Sequence, residues 1–299
     1  MKIAHISDLH LTTLHHIGWP ELLNKRILGY LSWRYRRRHI HKREILDQII
    51  TLIRGEDPAL LAITGDLTHI GTRGECQQVE TWLAEIVRTF DIALIPGNHD
   101  CYTRADYADT IGRWQRYFPG QAVHDSATFP SLRRIDDIAV IGVNTALPTA
   151  PFLATGKVGK TQLAALAELL RSTGQAGLFR LVLLHHGPVA GTYRNRKRLV
   201  DEAAVTDLIK QYGAEMILHG HGHNMVEQII EANGKHIPVS GVASGSAVAN
   251  RDHPPAGYKL YDIHRAQQGW TVDCRSISLD ADNGPGQVVE QHYLIASNG

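Results

Sequence analysis

Short apolar runs and longer amphipathic stretches alternate along most of the chain. KIAHIS (2–7), ALLAIT (59–64), IALIP (92–96), IAVIGV (138–143), LFRLVLLHH (178–186) and EMILH (215–219) have strand length and read as buried strands. Between several of them, apolar residues recur at helical spacing. REILDQIITLIRG (43–55) predicts a helix ending at Gly55, and GECQQVETWLAEIVRTF (74–90) and GKTQLAALAELLRSTG (159–174) predict two more. Strands alternating with helices imply an α/β fold. The last third changes character. EQIIEANGKHIPVSG places Asn233-Gly234 between two alternating runs, a strong hairpin signal, and YKLYDIHRAQQGWTVDCRSI reads as another antiparallel pair. No linker, low-complexity tract or internal repeat interrupts the pattern. A single domain over 1–299 is expected, with antiparallel strands at about 225–278 and a basic insert at about 20–43.

Composition changes this picture little. The chain has 299 residues, is 43% hydrophobic and 20% charged, and carries a net charge of +1, so any affinity for nucleic acid or anionic membrane must be local. Three widely spaced cysteines without a CxxC pair argue against a disulfide framework or structural zinc site and suit a reducing cytosol. MKIAHISDLH lacks the apolar core of a secretory signal, and no apolar run approaches the roughly 18 residues of a membrane span, so a cytoplasmic protein is expected. The unusual number is 18 histidines. Imidazole is the commonest side-chain metal ligand, so their placement matters.

The placement is systematic. Asp8 and His10 follow the first strand, Asp66 the second, Asn98, His99 and Asp100 the third. His185 and His186 close LFRLVLLHH, and His219, His221 and His223 follow EMIL. In open α/β sheets, ligands bind beyond the carboxyl ends of strands. One Asp after a strand is an ordinary turn or cap, but five strand ends each delivering an oxygen or imidazole is not a product of core packing. Carboxylate, amide oxygen and imidazole without thiolate suit Mn, Fe, Zn or Co. Seven such ligands are too many for one ion and suit two, about 3.5–4 Å apart, sharing a carboxylate. Such a pair clamps a phosphoryl group and activates water for in-line attack.

SDLH, GDLT, GNHD, LLHHGP and HGHGH, in this order from residue 7 to 223, resemble the calcineurin-like metallophosphoesterase superfamily. They look most similar to its bacterial cyclic-nucleotide and glycerophosphodiester phosphodiesterase branch. The resemblance implies a four-layer αββα sandwich. It also implies that Asp8, His10 and His223 hold one metal, that Asn98, His185 and His221 hold the other, and that Asp66 bridges them. His99 would contact the phosphate and protonate the leaving alkoxide, oriented by Asp100. His219 and His186 are expected beside the ligands rather than among them. The implied activity is hydrolysis of a small phosphodiester, such as a cyclic nucleotide or glycerophosphodiester, by hydroxide held at the metals.

Two basic segments bear on the substrate. Residues 22–43 carry Lys25, Arg26, Arg34, Arg36, Arg37, Arg38, Lys42 and Arg43 with no acidic residue, interleaved with Tyr30, Trp33 and Tyr35, and Leu23, Ile27 and Leu31 share a helical stripe. Such a segment could lie peripherally on the inner membrane surface, cap the site and attract a polyanion, or pack on the body with a solvated basic face. Nucleic-acid binding is not expected, since no recognised motif accompanies it. In YRNRKR, Arg194, Arg196, Lys197 or Arg198 could reach substrate phosphates, and His69 lies near Asp66. The basic-aromatic segment suits an alternative substrate, a lipid-linked pyrophosphate such as UDP-diacylglucosamine. A non-catalytic scaffold would predict eroded ligands. The C-terminal hairpins could mediate a homo-oligomer.

Overall fold

The computed structural model describes residues 1–15, 17–105, 107–124, 127–250, 254–280 and 284–296. Thirteen strands form two mixed sheets among these residues. The first half supplies β1 (Lys2–Ile6), β2 (Leu60–Ile63), β3 (Ile92–Leu94), β4 (Gln121–His124), β5 (Ala127–Ile135) and β6 (Ile138–Gly142). The second half supplies β7 (Phe179–Leu183), β8 (Met216–His219), β9 (Val226–Ala232), β10 (Lys235–Gly241), β11 (Gly257–Arg265), β12 (Trp270–Leu279) and β13 (Pro285–Ile295). One sheet runs β13-β12-β11-β1-β2-β3, the other β4-β5-β6-β7-β8-β10-β9. The helices are α1 (Arg26–Ser32), α2 (Arg38–Ile40), α3 (Arg43–Glu56), α4 (Arg73–Ile86), α5 (Lys160–Gln175) and α6 (Glu202–Tyr212).

Three apolar clusters separate four layers. Ala4, Ile6, Leu61, Ile63 and Leu94 meet α3 and α4 through Leu46, Ile49, Val79 and Leu83. Alternate residues of the same strands, Ile3, Leu60, Ala62 and Ala93, face Ile138, Val140, Leu181, Leu183 and Leu218 of the other sheet. Ile141, Val182 and Ile217 then pack on Leu166, Leu170, Val205 and Ile209 of α5 and α6. Side chains alternate across a strand, so runs apolar at every position are what a sheet covered on both faces requires. This is the αββα sandwich.

The predicted strands and helices are all present, with shifted ends. Helix α3 runs one residue past Gly55, and Asp57, at φ 49°, takes the left-handed cap before Pro58. Thr72 and Glu75 cap α4 reciprocally. Asn233 and Gly234, at φ 51° and 75°, form the expected turn between β9 and β10. The antiparallel region does not stop at about 278, because β13 extends it to Ile295. Strand β13 has mostly exposed or half-exposed side chains, so it lacks the apolar run that marks a buried strand. Helix α6 and strands β4 and β5 were likewise not legible from periodicity.

Under α5 and α6, Arg180 and Glu215 form a buried bidentate pair, with Nε and Nη2 each 2.8 Å from a carboxylate oxygen. Nη1 of Arg180 donates to the carbonyls of Leu170 and Tyr212. Breaking such a pair from one side strands a buried charge. Glu215→Ala is expected to lower unfolding free energy by about 3–5 kcal/mol in urea denaturation, and Arg180→Met with Glu215→Leu to recover most of it.

Candidate metal centre

The carboxyl ends of β1, β2, β3, β7 and β8 converge, and the loops after them are laced by backbone hydrogen bonds. Asp8 N–H donates to Gly65 O and His10 N–H to Asp66 O, both at 2.9 Å, while Gly220 N–H donates to His185 O at 3.1 Å. Asp8 Oδ2 accepts from the backbone of His221 at 2.9 Å. The turns after β2 and β3 meet through two glycines. A Cβ on Gly65 would lie 2.4 Å from Gly97 N, and one on Gly97 would lie 2.4 Å from Asp66 N. Neither turn admits a side chain there.

This convergence brings the expected ligands together. Ligand atoms of Asp8, His10 and His223 lie within 4.8 Å of one another, as do those of His185 and His221 with His186. Asp66 is within the same reach of His10 and His99 on one side and of Asp8 and His185 on the other, the position a bridging carboxylate needs. Asn98 Oδ1 is 3.2 Å from Nε2 of His185. Asp8, His10, Asp66, His221 and His223 all adopt positive φ, between 41° and 67°. Left-handed backbone is uncommon outside glycine, and its concentration at these five positions marks a site held by its surroundings.

Hydrogen bonds orient the rings. His10 Nδ1 lies 2.7 Å from Thr68 O and His185 Nδ1 lies 2.6 Å from Thr64 O, so each presents Nε2 to the centre. Burial first, then neighbouring imidazoles, hold His10 and His221 well below the usual histidine range, leaving them neutral. Burial opposes charge on His185, but Asp66 beside it raises it to about 9. The buried His221 Nε2 has no hydrogen-bond partner among the described residues, and Asp8 Oδ1 faces the ring of His223, whose Nε2 is 3.1 Å away. Orphaned buried polar atoms are costly. Divalent cations would satisfy the carboxylate oxygens and neutral imidazoles together, so the donor set fits the implied metals.

The other candidates sort differently. Asp100 does not orient the His99 ring. Its carboxylate accepts from the backbone of Gly97, Asp66, Leu67 and Thr68 and from the Thr68 hydroxyl, all at 2.9–3.0 Å. Burial and the nearby Asp66 push it up to about 7, against the pull of these donors. His99 is instead set by the carbonyl of His69, 2.6 Å from its Nδ1. The His69 ring stacks on His10 with centroids 5.3 Å apart, and burial lowers its pKa to about 3. Both nitrogens of His186 are taken, Nδ1 by Thr145 Oγ1 at 2.7 Å and Nε2 by Ala154 O at 3.2 Å. His219 is buried against Tyr193, whose hydroxyl is 3.3 Å from its Nδ1. The side chains of Arg194 and Arg196 are exposed and make no hydrogen bond or ion pair with these residues among those described. Lys197, likewise exposed, is near enough to Asp8, Asp66 and His221 to interact with them electrostatically.

The basic insert packs beside the centre. Arg26 is buried and donates to the carbonyls of Ile70 (3.0 Å) and Gly71 (2.6 Å), and a Cβ on Gly29 would meet Ile70 at 2.4 Å. Trp33 joins Leu14, Leu22 and Ile70 in a small core. The Leu23–Ile27–Leu31 stripe is not the buried one. Leu23 precedes α1 and is 83% exposed, while Leu22, Arg26, Gly29 and Trp33 face the body. Arg37 Nη1 lies 3.0 Å from His99 Nδ1. This contact was not foreseen, although the excess of cations over acids in 22–43 was its trace in the sequence.

The model of the calcineurin-like phosphoesterase family matches residues 1–225. The chain belongs to the calcineurin-like phosphoesterase family. Its fold is similar to that of a dimetal phosphatase from Danio rerio, at 12% identity and TM-score 0.67 over 99% of both chains. It is also similar to a purple acid phosphatase from yellow lupin seeds, at 14% identity and TM-score 0.55, covering 97% of this chain and 53% of that one. GAP50, described as the anchor in the inner membrane complex of Plasmodium, shares the fold at 11% identity and TM-score 0.50 over 100% of this chain and 89% of its own. No curated protein matches the sequence. Among the described residues, no helix of this phosphoesterase is long and apolar enough to cross a membrane.

The glycine contact gives a direct test of the centre. Gly97→Ala is expected to displace the Asp66 backbone, lowering stability by about 1–3 kcal/mol. Bound metal measured by elemental analysis should fall below two ions per chain, the number for which the donor set is suited.

Proposed function

We propose that this phosphoesterase is a dinuclear-metal phosphodiesterase acting on a small phosphodiester. The observation that supports it best is the meeting of Asn98 and His99, adjacent on one turn, with Asp8, His10, Asp66, His185, His221 and His223 from four other strand ends. Two divalent ions, when bound, supply an activated water and positive charge for the phosphate oxygens.

The rest falls to the chain's own groups. Asp8, His10 and His223 would hold one ion, Asn98, His185 and His221 the other, and Asp66 both. Asn98 contributes an uncharged oxygen, which limits repulsion of an anionic ester. An alkoxide leaves poorly without a proton, and His99 would exchange one with the ester oxygen. In the free protein, burial and the adjacent Arg37 charge hold His99 well below the usual histidine range. A bound phosphate anion opposes the second of these effects. Asp100 serves by fixing the two turns that carry Asp66, Asn98 and His99. All seven ligands are present, which speaks against a scaffold that has lost its chemistry.

One observation favours the lipid-linked pyrophosphate reading. Trp19 (77%), Leu23 (83%), Tyr35 (78%) and Phe152 (81%) are among the most exposed large apolar residues, and all lie on two segments joined by Lys25 Nζ on Thr149 O. Arg34 and Arg36 stand exposed among them, the composition that suits an anionic lipid surface.

Reconstituted with Mn²⁺, the protein is expected to cleave bis-(p-nitrophenyl) phosphate in preference to p-nitrophenyl phosphate. His99→Ala should lower kcat by about 10²-fold or more, and Asn98→Ala should lower both metal content and rate. A preference for the monoester would overturn the diester reading. For the lipid reading, sedimentation with vesicles rich in phosphatidylglycerol should capture the wild type and release a Trp19→Ser, Tyr35→Ser, Phe152→Ser variant. Equal partitioning of the two would remove that reading.

A further inference from the structure

The insert carries a cation into the centre and gives it no anion to pair with. Arg37 closes a single π-helical turn, Trp33–Arg37, between α1 and α2. Turns of this kind interrupt the helical phase and are frequent at functional sites. Here the widened turn lets Trp33 anchor in the small core beside Ile70 while Arg37, four residues on, lies against His99. The path of the segment is fixed on both sides of the turn. Arg26 and Lys25 tie its start to the Ile70 and Thr149 carbonyls, and His41, whose backbone N–H donates to Arg37 O, is held through Nδ1 by the Ser246 hydroxyl at 2.9 Å.

The contact with His99 does not satisfy the guanidinium. His99 Nδ1 lies 2.6 Å from the carbonyl of His69, and an oxygen that close requires the nitrogen to carry the proton. Arg37 Nη1 at 3.0 Å therefore faces another donor. No carboxylate pairs with Arg37 among the described residues, although Asp66 and Glu75 are near enough to act on it electrostatically. A guanidinium is a planar fork of donors that matches phosphate oxygens in pairs. Beside it, a ring nitrogen of His99 lies within 4.8 Å of ligand atoms of His10 and Asp66, so an ester phosphate bound at these residues would border Arg37.

We propose that Arg37 is a substrate-binding residue of the site: its guanidinium donates to a non-bridging oxygen of the scissile phosphate, on the His99 side of the metal ligands. The insert thereby contributes to the phosphate subsite itself. This rests on the phosphoesterase reading of the centre, but binding of a phosphate can be measured without turnover.

The test uses the full-length, Mn²⁺-loaded protein with inorganic phosphate as the probe. Wild type, Arg37→Gln, Arg37→Lys and Arg43→Gln are compared by calorimetric phosphate titration, metal content and thermal unfolding. Arg43 is exposed and paired with Asp47, so its loss removes one charge from the segment without touching the site. Loss of a charge-assisted hydrogen bond predicts a phosphate Kd weaker by about 10- to 100-fold in Arg37→Gln. Arg37→Lys, which keeps charge without the fork, should fall between, and Arg43→Gln should match the wild type. With bis-(p-nitrophenyl) phosphate, the KM of Arg37→Gln should rise. A folded, metal-replete Arg37→Gln that binds phosphate like the wild type overturns the proposal, as does a loss of kcat alone, which would make Arg37 only a support for His99. If Arg37→Gln fails to fold, Arg37→Lys decides, since wild-type phosphate affinity without the fork also overturns it. Should the wild type cleave no diester yet bind phosphate in an Arg37-dependent way, the diester reading fails and this assignment stands.

Discussion

Five donors converge on the carboxylate of Asp100, and the rest of the centre depends on them. Three successive backbone N–H groups, from Asp66 to Thr68, and one from Gly97 bind it, with the Thr68 hydroxyl as the fifth. The turn after β2 is thereby fastened to the turn after β3 at a depth where water cannot substitute for either partner. Buried backbone donors must be satisfied somewhere, and here one side chain satisfies a whole turn. The glycine contact between Gly65 and Gly97 lets the two turns come close enough for this.

What the clamp holds is a backbone that would not stay there by itself. Five ligand residues sit at positive φ, each at some conformational cost. The cost is met by neighbouring loops rather than by the residue concerned. The His221 N–H is bound by Asp8, the Asp8 N–H by Gly65 O, and the Asp8 carbonyl by the Ser244 hydroxyl. Asp8, His10, His185 and His221 are thus held through loops that belong to other strands. The two sheets act as a rigid base that sets the spacing of those loops.

The insert adds a wall to this centre. Its inner face is polar as well as apolar, because the buried Arg26 binds two carbonyls of the 69–71 loop while Trp33 fills the gap beneath. That loop also supplies the His69 carbonyl against His99. One stretch of chain therefore connects the insert, the histidine next to the metal ligands and the clamped turn after β2.

The sequence alone determined the buried strands, the helices α3, α4 and α5 between them and the residues gathered at the centre. Those are local properties: a strand covered on both faces must be apolar at every position, and hard metal ligands at the ends of such strands stand out against that background. Edge strands β4 and β13 and the half-exposed helix α6 carry mixed polarity that resembles loop, and β5, although paired on both sides, is interrupted by Pro130 and by Arg133 and Arg134 and lacks an apolar run. Only the tertiary structure decided that Asp100 binds backbone rather than His99, and that Leu22 rather than Leu23 is buried. It also singled out Arg37 from eight cations in one segment. A side chain's partner is set by the direction its backbone gives it and by what other loops bring near, and neither is a property of neighbours in sequence.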